Sequence, residues 1–457
     1  MIEKPYEVIV VGSGATGGVA ALTLANAGVR VLLIERGPDL SVKEAFGSEP
    51  ENTCKRISSL ISDKYKQQPQ HPGFWKTNPL LYADKVQNPY STPSDSPFIW
   101  TQGHQVGGRS LTWGGITLRL SDQDLKAARY DGYGPEWPIS YYDLEPHYSS
   151  IEKKLKVHGK KDGLKQLPDG EYIAPLPFTR TEEDFANKVI SRLDLPVIHS
   201  RGFGPHKIKE NWPRYSSQGS TLGMAMKTGK VELLTNHLAE RLVMNASKDK
   251  AKGILTVDRK SGERRFLEAN MIILCASTIQ SIRFLLNSEE QNNSSGFIDP
   301  SGQLGKNLMD HISTCRFFRM PNISKDKISN NEETLSGAGS FFIPLGNKHQ
   351  GKSDFLRSYG IWGGIDRFEP PGWLKTKPSS KTGFLIGHGE VLPYKENKVT
   401  LSNKVDKFGI PIPHIDCKWR DNEKRMVKDM NSTIEKIVKA ADGEVLPLKE
   451  IINFPLI

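Results

Sequence analysis

Residues 6–37 read YEVIVVGSGATGGVAALTLANAGVRVLLIERG. Tyr6 to Val11 is a short, β-branched, apolar run of the kind that forms a buried strand. It ends in Gly12-Ser13-Gly14-Ala15-Thr16-Gly17, a G-x-G-x-x-G. Small apolar residues at helical spacing follow, closed by Gly28, and a second apolar run ends at Glu35. Strand, glycine turn, helix, strand and acid, in that order, make a dinucleotide-binding βαβ unit. The glycines permit a tight turn, close approach of backbone to a pyrophosphate, and close helix–strand packing, while the helix N-terminus faces the phosphates. Glu35 is placed to accept hydrogen bonds from a ribose diol and to repel a 2′-phosphate. That points to FAD or NAD rather than NADP, although Arg36 beside it weakens the exclusion.

Moving outward, residues 231–277 favour FAD. VELLTN predicts a third parallel strand. AERLVMNA, GILTVDR and ERRFLEA predict three short antiparallel strands, and ANMIILCAS a separate buried strand whose small end, Ala276 and Ser277, lets backbone pass close to a dinucleotide. A three-stranded meander of this kind accompanies FAD folds of the two-dinucleotide type and argues against an NAD-dependent enzyme. A second glycine cluster, GHQVGGRSLTWGG at 103–115, remains to be explained once the first has taken the pyrophosphate.

Four stretches resemble the glucose-methanol-choline (GMC) oxidoreductases: residues 8–37, the 103–115 cluster with the ITLRLSDQDL that follows, GQLGKNLMDHI at 302–312, and NKVTLSNKVDKFGIPIPHIDCKWRDNE at 397–423. Their order and spacing match the family along nearly the whole chain. The resemblance implies oxidation of an alcohol carbon by hydride transfer to flavin N5. Trp113 stands where choline-type members have Asn, which places the chain nearer the sugar and sugar-acid dehydrogenases. Thr112 occupies the place where some relatives attach flavin to a histidine, so FAD is expected to be held noncovalently. Gly107 and Gly108 are expected to press against the flavin edge, Ser110 to hydrogen-bond the isoalloxazine or pyrophosphate, and Trp113 to wall the ring. The expected cofactor-binding residues are Gly12, Gly14, Gly17, Glu35, Arg36, Gly107, Gly108, Ser110, Trp113, Gly114, Val243, Ala276, Asp310 and His311. Asp310-His311 reads equally as an orienting pair or as a loop anchor, and His388 as a structural histidine rather than one facing the cavity.

The implied fold is an α/β, Rossmann-like FAD-binding domain of the two-dinucleotide type, interleaved with an α+β substrate domain on an antiparallel sheet that roofs the flavin. The FAD domain is expected to comprise 1–45, 101–125, 216–320 and a returning segment from 424 to 457, with 46–100 a connection or lid. The substrate domain would then be 126–215 and 321–423. Ser140 and Asp143 have capping-box spacing before a helix with Leu144, Tyr148, Ile151 and Leu155 on one face. Alternating runs between 335 and 402, including NKVTLS, predict the antiparallel sheet. Met426, Met430, Ile434, Ile437 and Val438 predict one side of a helix over 424–441.

The family's base lies in a motif resembling H-E-x-G-x-x-R-M-G, which this sequence does not contain. Catalytic residues are therefore expected downstream of Ile457, and the chain alone is expected to turn over poorly. The alternative reading is a noncatalytic FAD-binding scaffold or interaction subunit. The net charge of +10 is scattered, with no nucleic-acid-reading motif, which argues for a solvated surface. The eleven histidines and four cysteines show no metal-ligand spacing, so no metal is expected. Without a visible signal peptide or an apolar run long enough to span a bilayer, a cytoplasmic protein is expected, with an alcohol or sugar as substrate and a separate electron-acceptor partner.

Overall fold

A computed structural model of the chain describes residues 6–61, 77–83, 86, 88–204, 211–289, 296–321, 340–345, 353–367 and 380–447. Along the chain run β1 (Tyr6–Val11), α1 (Ala15–Asn26), β2 (Val31–Ile34), α2 (Val42–Phe46), α3 (Glu49–Ile61), α4 (Asp122–Leu125), α5 (Ala127–Asp131), α6 (Tyr141–Leu155) and α7 (Arg180–Leu193). There follow β3 (Ile198–His199), α8 (Thr221–Lys227), β4 (Val231–Leu234), β5 (His237–Met244), β6 (Ala251–Asp258), β7 (Arg264–Leu274), α9 (Thr278–Ser288) and β8 (His311–Pro321). The last elements are β9 (Phe341–Pro344), β10 (Tyr359–Ile365), β11 (Ser380–Glu390), β12 (Lys398–Val405), β13 (Pro411–Asp416), α10 (Asp421–Ala440) and β14 (Glu444–Val445). They form two compact units, the first from 1–113, 208–308 and 395–418, the second from 114–207, 309–394 and 419–457.

The first unit is built on a sheet of order β4-β2-β1-β7-β6-β5. β4, β2, β1 and β7 run parallel, and β6 and β5 complete the sheet antiparallel. Alternate side chains of β1 go to opposite faces, and both faces are buried. Val8 and Val10 pack with Ala21, Leu22 and Ala25 of α1 and Leu222 of α8. Ile9 and Val11 pack with Ile254, Leu267 and Phe284. A strand covered on both sides needs a continuous apolar run, which VIVV supplies.

Two expectations change here. ERRFLEA and ANMIILCAS are one strand: residues 264–268 of β7 pair antiparallel with β6, and residues 269–274 pair parallel with β1. NKVTLS, expected in the large antiparallel sheet, forms the β12–β13 hairpin instead. Its Val399 and Ile415 pack with Ile279 and Leu286 of α9, which draws 395–418 into the first unit.

The second unit holds the antiparallel sheet β14-β8-β11-β10-β9-β3. The 335–402 reading anticipated β9, β10 and β11 but not β8, which pairs with β11 over its full length. Residues 309–321 therefore belong to the second unit rather than to the first. The helix expected over 424–441 is α10, with Met426, Met430, Ile434, Ile437 and Val438 at most 1% exposed. It does not return to the first unit. Its apolar face seals one side of the second sheet, against Ile312, Phe318, Met320 and Leu385. The first unit likewise ends at Trp113 rather than 125 and resumes at 208 rather than 216. α6 carries the expected capping box of Ser140 and Asp143, and its buried residue is Glu152, which pairs with Arg119.

Candidate active site

The glycines of the first cluster meet two different steric demands. A Cβ on Gly17 would lie 1.8 Å from Gly12 O, and one on Gly12, whose φ is +102°, would lie 2.4 Å from Cys275 O. These two positions are glycine because the protein packs against itself there. Gly14 is different. A Cβ there would meet only Gly107 O at 3.9 Å, and one on Gly108 only Gly14 Cα at 3.7 Å. Gly14 and Gly108 thus border open space beside the N-terminus of α1. That N-terminus has no side-chain cap and no acidic residue in its first turn. Its amides and the positive end of its dipole are left for an anion, as a pyrophosphate requires.

Glu35 is buried next to this opening. Its Oε2 accepts from Ser13 N (3.1 Å) and Ser13 Oγ (2.5 Å), and its Oε1 from Gly37 N (2.9 Å). Burial pushes the carboxyl up, and the Ser13 and Gly37 hydrogen bonds pull it back. Oε1 retains a lone pair for a ribose hydroxyl. Arg36 is a buried guanidinium, pushed well down by burial and by Arg283 and Arg259. Ala276 borders the cradle, its Cα 3.1 Å from where a Gly12 Cβ would sit. Ser277 follows in the left-handed region, at φ +65°. Val243 is not brought here. It lies six residues beyond His237, about 20 Å along β5, opposite Gly253; His237, whose N donates to Glu35 O, is the β5 residue beside the cradle.

The second cluster is tied to the first through Ser13, whose Oγ accepts from Gly107 N at 3.1 Å. Gly107 has φ +85°, and a Cβ there would strike Gln218 Oε1 at 2.0 Å. Ser110 spends its hydroxyl within the protein, donating to Gly107 O (2.6 Å) and accepting from Ser217 N (2.9 Å). Trp113 is exposed, anchored by a hydrogen bond from Nε1 to Tyr215 O at 3.1 Å. Gly114 opens the second unit.

In the second unit, Asp310 is buried and its Oδ1 accepts from His311 N at 2.7 Å. The pair is joined through backbone, not ring to carboxylate. Burial pushes the Asp310 carboxyl up to about 7. His388 is pushed down to about 3, by burial and then by His311. Burial lowers His311 as well.

Opposite slopes in stability follow. Asp310 is protonated in the fold at pH values where the unfolded chain has lost the proton, so its stabilisation is lost as pH rises through about 7. His388 is neutral in the fold where the unfolded chain is charged, so its stabilisation is lost as pH falls from the unfolded imidazole value toward about 3. Each is worth at most roughly 4–5 kcal/mol. Between about pH 4 and 6.5 the two oppose one another. Asp310→Asn should therefore lose stability steeply on acidification through that window, whereas the unsubstituted protein changes little. Denaturant melts at several pH values test this, and parallel profiles for the two proteins would refute it.

An uncapped helix opening onto a glycine-lined cradle, with a buried carboxylate on the ribose side, is how flavoprotein oxidoreductases receive FAD, and this chain is one of them. A family model for GMC oxidoreductase matches residues 6–313, more than half of the chain, which therefore belongs to that family. It is similar to the fructose dehydrogenase large subunit of Gluconobacter japonicus, 24% identical over 96% of this chain and 84% of that protein. It is similar also to the gluconate 2-dehydrogenase flavoprotein of Pantoea cypripedii, 24% identical over 97% of this chain and 81% of that protein. Pyridoxine 4-oxidase from Mesorbium loti shares the fold, with TM-score 0.59 and 15% identity over 97% of this chain and 83% of that structure. So does formate oxidase of Aspergillus oryzae, with TM-score 0.62 and 14% identity over 98% of this chain and 84% of that structure.

Sequence reasoning passed over Ser13, Gln218 and Trp362. Ser13 was legible in principle, as the hydroxyl between two cradle glycines. Nothing local marks Gln218, which reaches the second cluster through Nε2 to Val106 O at 2.6 Å. Among the described residues no group of His, Cys, Asp and Glu is arranged to hold a metal. No helix among them is long and apolar enough to cross a membrane.

Proposed function

We propose that this oxidoreductase acts on the CH–OH group of a sugar, sugar acid or other alcohol, with noncovalent FAD and a separate electron acceptor. The observation that carries the FAD end of the reading is the space shared by Gly14 and Gly108 at the uncapped end of α1. The α1 amides hold the pyrophosphate, Glu35 accepts from the ribose, and Gly108 admits the cofactor close to the backbone. Bound FAD supplies the hydride acceptor. The substrate class rests on the family and on relatives named for fructose, gluconate and 2-methyl-1,2-propanediol. Thr112 offers no imidazole for a covalent flavin link, and its hydroxyl lies 3.4 Å from Arg109 O.

Purified protein loaded with FAD is expected to release all its flavin into the supernatant on acid precipitation. Anaerobic addition of a panel of sugars, aldonates and alcohols is expected to bleach the bound flavin, slowly, with at least one member. Flavin that stays with the precipitate would overturn the noncovalent reading. Bound flavin that no member bleaches would overturn the catalytic one in favour of a scaffold.

A further inference from the structure

α10 seals one face of the second sheet, where Gly387 and Gly389 leave room for Met430 and Met426. The opposite face is only half-buried. Strand register fixes what it carries. His388 pairs with Ser313 and with Gly360, Ile386 pairs with Trp362, and Phe384 with Phe317. Paired residues project to the same side of a sheet, so His388, Trp362, Ile386 and Phe384 share this face. Trp362 stacks on His388 at 5.6 Å between ring centroids, and His311 meets His388 edge-on at 6.1 Å.

His388 differs from other histidines of the chain. His104, His158, His199, His237 and His414 each hold a hydrogen bond through a ring nitrogen. His388 Nε2 is enclosed and has no partner among the described residues. A buried polar atom without a partner is costly and calls for a reason. Here the ring is held rigidly by Trp362 and kept neutral by burial and by His311. A neutral imidazole offers one donor and one acceptor, which matches a hydroxyl or a vicinal diol. The aromatic face beside it suits the C–H face of a sugar ring. Arg357 is shared by Glu390 at 3.0 Å and Asp131 at 2.7 Å, so its guanidinium has no surplus positive charge to offer an anionic substrate.

We propose that His388 and Trp362 form a binding subsite for a neutral polyhydroxy substrate, with His388 hydrogen-bonding one of its hydroxyls. The proposal rests on the alcohol-oxidising reading and narrows it from sugars, sugar acids and alcohols to uncharged polyols. His388 is thus a specificity-determining residue for the reaction.

The test is equilibrium binding to the FAD-loaded full chain by calorimetry, which needs no turnover, with D-glucose, D-fructose, D-sorbitol, D-gluconate and 1-butanol as probes. At least one neutral polyol is expected to bind more tightly than gluconate. His388→Leu should weaken that polyol about tenfold or more and leave 1-butanol unchanged. His388→Gln, which keeps one donor and one acceptor, should stay within about threefold of wild type. Should His388→Leu fail to fold, His388→Gln and the wild-type imidazole ¹⁵N resonances remain, and those of His388 should shift when the polyol is added. Tighter binding of gluconate, an unaltered polyol affinity in His388→Leu, a tenfold loss in His388→Gln, or unmoved ¹⁵N resonances would each overturn the subsite. Flavin bleaching is read separately, so a chain that binds polyol without bleaching loses the catalytic reading and keeps the subsite.

Discussion

Gly17→Ala is expected to give a protein that no longer binds FAD and melts below wild type. The added methyl carbon would sit 1.8 Å from Gly12 O and 2.9 Å from Gly12 C. Neither side can retreat. Gly12 is held by its N–H to Ile34 O at 2.8 Å, and the carbonyl of Cys275 closes its other side. The helix must therefore move away from β1, which opens the packing of Ala21, Leu22 and Ala25 against Val8 and Val10. Overpacking of this kind costs about 1–3 kcal/mol or more, and a backbone-to-backbone clash belongs at the upper end. A fall in melting temperature of roughly 5–10 °C is expected. Gly14→Ala is the informative companion. Its Cβ meets nothing closer than 3.9 Å, and its backbone, at φ −66° and ψ −162°, suits alanine. Its apoprotein should melt like wild type while its FAD affinity falls about tenfold or more, because the methyl enters the space left for the phosphate. Thermal melts of both apoproteins and an FAD titration separate the two effects. A Gly17→Ala protein that melts and binds like wild type would refute the cradle.

Glu182→Gln is expected to destabilise the second unit by about 3–5 kcal/mol. Glu182 is fully buried at the start of α7. Its carboxylate accepts from Arg367 Nε (2.9 Å) and Nη2, Ser340 Oγ, Ile365 N (3.1 Å) and Thr179 N (2.8 Å). One side chain thus joins the helix cap to the end of β10 and the chain entering β9. The amide of glutamine removes the charge that Arg367 needs and turns an NH₂ toward donors. Arg367, its side chain 3% exposed, keeps its hydrogen bond to Pro177 O at 2.8 Å but loses the buried carboxylate that faces it. Removing both charges, as Glu182→Leu with Arg367→Met, should recover much of the loss. Denaturant midpoints of the single and double variants measure this, and a single variant within about 1 kcal/mol of wild type would show the pair to be dispensable.

How much was legible differs from element to element. The β1–α1–β2 unit could be read because each signal is local: a buried run, a steric need for glycine, small residues at helical spacing. The apolar side of α10 was equally legible, but not the surface it covers, because an apolar stripe does not name its partner. β7 was divided at Glu268-Ala269-Asn270, where polar residues resemble a break. The strand is continuous because β6 pairs with one half and β1 with the other. β8 was missed because Arg316 and Arg319 interrupt its alternation, and its register comes from β11.

The sequence by itself determined the dinucleotide cradle, since the contacts of Gly12 and Gly17 lie within one βαβ unit and its closing strand, and a missing Cβ is a local fact. It also determined family membership, through motifs spread in fixed order. Only the tertiary structure decided that Ser13 bridges the two glycine clusters, that Gln218 packs against Gly107, and that Val243 stands apart from the cradle. Only it set His388 against Trp362 and His311. Those residues lie on three strands, and strand register is set by long-range pairing and by the apolar face that α10 must cover, neither of which any short window of sequence contains.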